Sequence, residues 1–96
     1  MSNALTKAHI INAVADANGF ERRKSQETVE LLLELIKRSL ESGDDVLISG
    51  FGKFMVKQKA QRRGRNPATG EDMILKPRKV VTFRWSKQLR DQINGR

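Results

Sequence analysis

Residues 50–70 read GFGKFMVKQKAQRRGRNPATG, and the point at which hydrophobicity runs out along this stretch decides the fold. Phe54 and Val56 alternate with polar neighbours as a half-buried strand requires. Beyond Val56 the alternation fails, and from Lys57 to Asn66 Ala60 is the one apolar residue. The stretch ends in Asn66-Pro67-Ala68-Thr69-Gly70, where proline presets φ for a turn position and glycine supplies a positive φ at the end. On the far side apolar residues return at Met73, Ile74 and Leu75, break off at Lys76-Pro77-Arg78-Lys79, and resume at Val80, Val81 and Phe83. The pattern is a hairpin joined at the proline turn, with apolar bases and cationic outer lengths. Its outer part projects beyond any core.

Outward from the hairpin, Gly50 and Gly52 bracket Phe51 at a tight corner that follows a first strand carrying Val46 and Ile48 on one face. Further upstream, Thr6 caps a helix over about 7–18, with Ile10, Ile11, Val14 and Ala17 on one side and Asn18-Gly19 as its stop. A second helix over about 22–42 carries Val29, Leu32, Leu33, Ile36 and Leu40 on one stripe, with Leu31 and Leu35 forming another beside it. That apolar face is wider than one short helix covers. In a 96-residue chain the surplus is most simply buried against another subunit, with Leu31, Leu32, Leu35 and Ile36 at the interface and Phe51 and Phe54 in the packed interior they share. Ser86 caps a short last helix over about 86–94, in which Leu89 and Ile93 face inward.

The chain carries 19 Lys and Arg against 11 Asp and Glu, a formal net charge of +8. The two halves differ. Residues 1–52 hold 6 basic and 8 acidic side chains, whereas 53–90 hold 12 basic and 2 acidic, so the net charges are −2 and +10. A near-neutral half joined to a cationic half is a scaffold carrying a surface for a polyanion. No cysteine is present and His9 is the one histidine, which leaves no cysteine or histidine cluster for a metal and no disulfide. His9 reads as an ordinary surface or packing residue, and Trp85 as a packing residue of the core or subunit contact. Glu27, Glu30, Glu34, Asp44 and Asp45 read as solvated faces, caps or partners of Lys37 and Arg38. No P-loop, dinucleotide-binding glycine pattern or nucleophile motif occurs, so no enzymatic activity and no cofactor are expected. No run approaches the ~20 apolar residues of a membrane span, and a cytoplasmic protein is expected.

The same stretch, with Gly50, Phe51, Phe54, Arg62, Gly64, Arg65, Asn66, Pro67 and Thr69 in order and spacing, resembles the signature of the bacterial DNA-bending proteins of the HU and integration host factor family. The resemblance runs from Leu5 to about Gly95. GRNPATGED and KVVTFRWSKQL are closer to the alpha-type integration host factor members than to HU, with Trp85 and Pro77 departing from that pattern. What the resemblance implies is an α+β fold in a single domain over 1–96. A helical dimerisation part spans about 5–43, sheet and arm about 45–84, and the last helix 86–94. Two such chains form an intertwined dimer, either a homodimer or a heterodimer with a beta-type subunit, whose β-ribbon arms wrap double-stranded DNA along the minor groove. Pro67 is then the residue inserted between base pairs. Lys57, Lys59, Arg62, Arg63, Arg65, Asn66, Lys76, Arg78, Lys79, Arg84 and Lys87 complete the expected DNA-contacting set. The implied role is architectural, in nucleoid organisation, recombination, replication and transcription.

Two other readings compete. One is a small basic RNA-binding protein whose extension orders on RNA. Sequence-specific RNA readers usually offer exposed aromatic rings for stacking, and the cationic half before Phe83 has Phe54 alone, assigned to the core. The other is a structural dimer whose charge serves solubility.

Overall fold

The computed structural model describes residues 3–95; Met1, Ser2 and Arg96, the ends of the expected 1–96 domain, lie outside the described residues. The order of elements is α1 (Lys7–Asn18), α2 (Arg22–Glu41), β1 (Val46–Ile48), β2 (Gly52–Lys59), β3 (Arg62–Arg65), β4 (Asp72–Leu75), β5 (Arg78–Trp85) and α3 (Lys87–Ile93). The α+β class is borne out. Two compact units divide the chain at Arg38 and Ser39, and each is described by itself.

In the helical unit Thr6 caps α1, with its Oγ1 accepting from the His9 N–H at 3.2 Å while the Thr6 N–H donates to His9 Nδ1 at 3.3 Å. This is a capping box in which histidine takes the place usual for Glu or Gln, a role for His9 that its sequence context does not disclose. Gly19 ends the helix by donating its N–H to the Ala15 carbonyl. Ile11 and Val29 are the buried apolar side chains, and Ser25, buried between the helices, donates its hydroxyl to the Ile11 carbonyl. Ile10 and Val14, on the same side as Ile11, are half-buried, and Ala17 in the last turn is exposed. Leu31, Leu32 and Leu35 are exposed and Ile36 is half-buried. Glu34 pairs with both Lys37 and Arg38, Glu30 with Lys7, and Glu27 with Arg23, all on solvated faces.

In the second unit α2 stops with the Asp44 N–H on the Ser39 carbonyl and the Gly43 N–H on that of Leu40, a C-terminal cap that satisfies carbonyls left over by the helix. A three-stranded antiparallel sheet follows in the order β1-β2-β5. Its register sets Val46, Phe54 and Phe83 in one row and Ile48, Gly52 and Trp85 in the next, with Val56 opposite Val81. Side chains directly opposite one another share a face, so this face is free of charge as far as Val56↔Val81 and becomes polar at Gln58↔Lys79. Phe83 lies between Phe54 and Phe51, with ring centroids 4.8 and 5.2 Å away. Phe51 is 44% exposed in the single chain, because it occupies the corner rather than a strand. Ser86 caps α3 by accepting the Leu89 N–H. Leu89 is half-buried as expected, whereas Ile93, in the last turn of this short helix, is 61% exposed instead of facing inward.

Gly52 is a packing requirement. A Cβ there would overlap the Phe83 ring and stand 2.7 Å from the Arg84 carbonyl oxygen. Gly52→Ala is expected to lower stability by about 1–3 kcal/mol, the usual penalty for overpacking, measurable as a lower midpoint in chemical denaturation with an unchanged slope.

Candidate nucleic-acid interface

The hairpin expected from the sequence is present, but it is not one continuous ladder. β2 pairs with β5 from Gly52↔Trp85 to Lys59↔Arg78, and β3 pairs with β4 from Arg62↔Leu75 to Arg65↔Asp72. Ala60-Gln61 and Lys76-Pro77 stand between them, outside either sheet. After Val56, where the alternation fails, pairing runs on to Lys59↔Arg78, breaks, and resumes at Arg62↔Leu75.

Lys53, Lys57 and Lys59 sit opposite Arg84, Val80 and Arg78 on the sheet face turned away from the Phe54 row. One surface of β2 and β5 is therefore mainly apolar as far as Val56↔Val81, and the other carries most of the cations, with Met55, Thr82 and Val80 between them. Lys53, which the sequence reading passed over, belongs to this surface; its spacing of four and six from Lys57 and Lys59 was the available signal. It is tied to Asp45, whose Oδ2 lies 3.7 Å from its Nζ, while the Asp45 Oδ1 accepts the Val56 N–H. At the body end Arg84 and Lys87 line a shallow groove with Trp85, Ser86 and Arg90. That is a second basic cluster, distinct from the arm. Trp85 borders it and is not buried within this chain.

In the arm Lys57, Lys59, Arg62, Arg63, Arg65, Lys76, Arg78 and Lys79 are all exposed. Glu71 and Asp72 are the acidic residues among them, and Asp72 stands 3.8 Å from the Arg65 Nε. So exposed a pair contributes little to stability and competes weakly with a phosphate. The tip is organised by its own turn chemistry. The Asn66 side chain accepts the Ala68 N–H at 2.9 Å, the Asn66 carbonyl accepts the Gly70 N–H at 2.7 Å, and the Thr69 hydroxyl accepts the Glu71 N–H at 3.3 Å. Gly70 takes φ +74°, a conformation that favours glycine. Pro67 is thereby carried at the end of the ribbon with its ring exposed. The arrangement offers a polyanion a row of cations along the ribbon and a rigid apolar ring beyond it. Among the described residues no group of His, Asp and Glu side chains is placed to hold a metal ion, and no helix is long and apolar enough to cross a membrane.

A family model described as "Bacterial DNA-binding protein" matches residues 5–94. The chain belongs to this family, that of HU and integration host factor. Integration host factor subunit alpha of Myxococcus xanthus is 47% identical over 91 residues, covering 95% of this chain and 70% of the relative. The same subunit of Vibrio campbellii is 47% identical over 92 residues, covering 96% and 94%. Among solved structures, the Anabaena HU–DNA cocrystal structure superposes with a TM-score of 0.79 at 31% identity, over 92% of this chain and 96% of that one. Members of the HU and integration host factor family are architectural DNA-binding proteins rather than enzymes, which bears out the expectation that this chain has no catalytic activity.

Proposed function

We propose that this chain works as a dimer that grips duplex DNA between two cationic β-ribbon arms and bends it, with Pro67 of each arm inserted between base pairs from the minor groove. The observation that carries the reading is the arm itself: an exposed cationic ribbon, interrupted at Ala60-Gln61 and Lys76-Pro77, tipped by an exposed proline. Insertion of apolar wedges at a base step is a mode for which this family is itself an established example. The dimer follows from the exposed leucines of α2 and the half-exposed apolar face of the sheet. Its partner is a second copy or a beta-type subunit. Double-stranded DNA as the ligand places the protein in the bacterial nucleoid, where bending serves recombination, replication and transcription.

Energetically, unstacking a base step costs on the order of a few kcal/mol and smooth bending about 1–6 kcal/mol more. Cation–phosphate contacts offset both by releasing counterions. If about 10 phosphates are neutralised per dimer, log Kd against log salt has a slope of magnitude about 9. Lys59→Ala is expected to reduce that magnitude by about 2, one contact for each arm. Fluorescence anisotropy with a labelled duplex across a salt series measures it, and a salt-independent affinity rules out the charged arm. Competition by structured RNA in the same assay decides against the RNA-binding alternative when duplex DNA is preferred.

A further inference from the structure

The interruption of the ribbon changes which side chains share a face. In an antiparallel pair, opposed residues alternate between pairs that exchange backbone hydrogen bonds and pairs that do not, and the two kinds carry their side chains on opposite faces. In the body the Ser86 N–H donates to the Phe51 carbonyl at 2.9 Å, while the Val56 N–H turns the other way, to Asp45 Oδ1 at 3.1 Å. The bonded pairs between β2 and β5 are therefore Lys53↔Arg84, Met55↔Thr82, Lys57↔Val80 and Lys59↔Arg78. In the arm the Asn66 N–H donates to the Glu71 carbonyl at 2.8 Å. Two and four steps inward from there, the bonded pairs are Gly64↔Met73 and Arg62↔Leu75.

From Lys59 to Arg62 is three steps, and the return from Leu75 to Arg78 is also three. A regular ladder joins bonded pairs only by an even number of steps. Each strand thus holds one residue beyond the alternation, while the register stays matched. Pro77 helps to fix where this happens. The arm's own phase, continued inward, makes Ala60↔Pro77 the next bonded pair, and proline has no N–H to give. The result is that Arg62 stands on the same face as Lys57, Lys59 and Arg78, whereas Arg63 continues the face of Val56, Val81 and Lys79. One hollow lined by Arg62, Lys76, Pro77 and Arg78 agrees with that placement, since an unshifted ladder sets Arg62 and Arg78 on opposite sides.

We propose that the paired one-residue shift at Ala60-Gln61 and Lys76-Pro77 is a positioning device that continues the DNA-contacting row of Lys57, Lys59 and Arg78 into Arg62 rather than Arg63. The assignment rests on the reading of the arm as a DNA clamp: of the two faces of β2 and β5, a polyanion takes the cationic one and leaves the apolar one to protein packing. Two adjacent arginines, chemically the same and both exposed, are thereby given different tasks.

The test compares Arg62→Ala with Arg63→Ala in the full-length dimer, by anisotropy with a labelled duplex across a salt series, after circular dichroism has shown both to be folded. Arg62→Ala is expected to weaken binding about fivefold or more and to lower the salt slope by nearly 2, and Arg63→Ala to change affinity less than about twofold with the slope kept. Equal losses, or the larger loss at Arg63, overturn the assignment. NMR of the free protein reads the shift without DNA. An Hα–Hα NOE between Arg63 and Ile74, a non-bonded pair with its Cα atoms about 4.5 Å apart, supports it. The same NOE between Gly64 and Met73 overturns it. A wild-type chain that fails to bind duplex overturns the DNA-clamp reading and this assignment together; equal losses with wild-type binding intact remove the assignment alone.

Discussion

Leu32→Asp is expected to abolish self-association and, with it, cooperative folding. Among the described residues the buried apolar side chains are Ile11 and Val29, while Leu31, Leu32 and Leu35 on α2 are 61%, 57% and 53% exposed. Burying each leucine against a partner contributes about 1.5–3 kcal/mol, comparable with the whole net stability of a small domain. A carboxylate at the middle of that surface loses its hydration with no cation to pair with, a cost of several kcal/mol in each protomer. Light scattering for mass and circular dichroism for fold measure the two consequences, and the melting temperature of the wild type should rise with protein concentration. Leu32→Met, which conserves volume, should stay within about 1.5 kcal/mol of wild type. A Leu32→Asp chain that remains a folded monomer would contradict an obligate dimer.

Element boundaries were legible because they are written in local chemistry. Thr6 and Ser86 start helices and Gly19 stops one through hydrogen bonds to near neighbours, and the Asn66–Gly70 turn is held by hydrogen bonds among its own residues. Faces were harder to read. Ile93 fits an inward stripe by spacing, yet it lies in the last turn of a short helix and is 61% exposed. Phe51 reads as part of an interior shared between subunits, and in the single chain its corner position leaves it 44% exposed. The interruption of the arm was beyond sequence reading for a different reason. Periodicity discloses a strand's faces only when apolar and polar residues mark them, and from Lys57 to Arg65 almost every position is polar. By polarity and periodicity Arg62 and Arg63 are alike in such a run; the family signature includes Arg62 and not Arg63, and the hydrogen-bond phase on each side places the two on different faces.

Pro67→Ala is expected to leave the dimer's thermal stability nearly unchanged and to reduce the DNA bend markedly. The tip does not depend on proline for its shape: the Asn66 side chain on the Ala68 N–H and the Gly70 N–H on the Asn66 carbonyl hold the turn, and alanine adopts the φ that proline imposes. The exposed position of residue 67 makes its contribution to folding small. What alanine lacks is the rigid ring that fills an opened base step. Without it the few kcal/mol of unstacking are less well repaid, so a bound but straighter complex becomes favourable, held by the same cations along the arm. Affinity for intact duplex should fall modestly. Preference for duplex carrying a nick or mismatch should grow, because such a site has already lost much of its stacking. FRET between fluorophores at the two ends of a duplex, read at saturating protein, reports the angle. An unaltered angle in Pro67→Ala would make the proline a turn former only, and would assign the bend to the charged faces of the arms, where neutralising phosphates on one side of the duplex draws it inward.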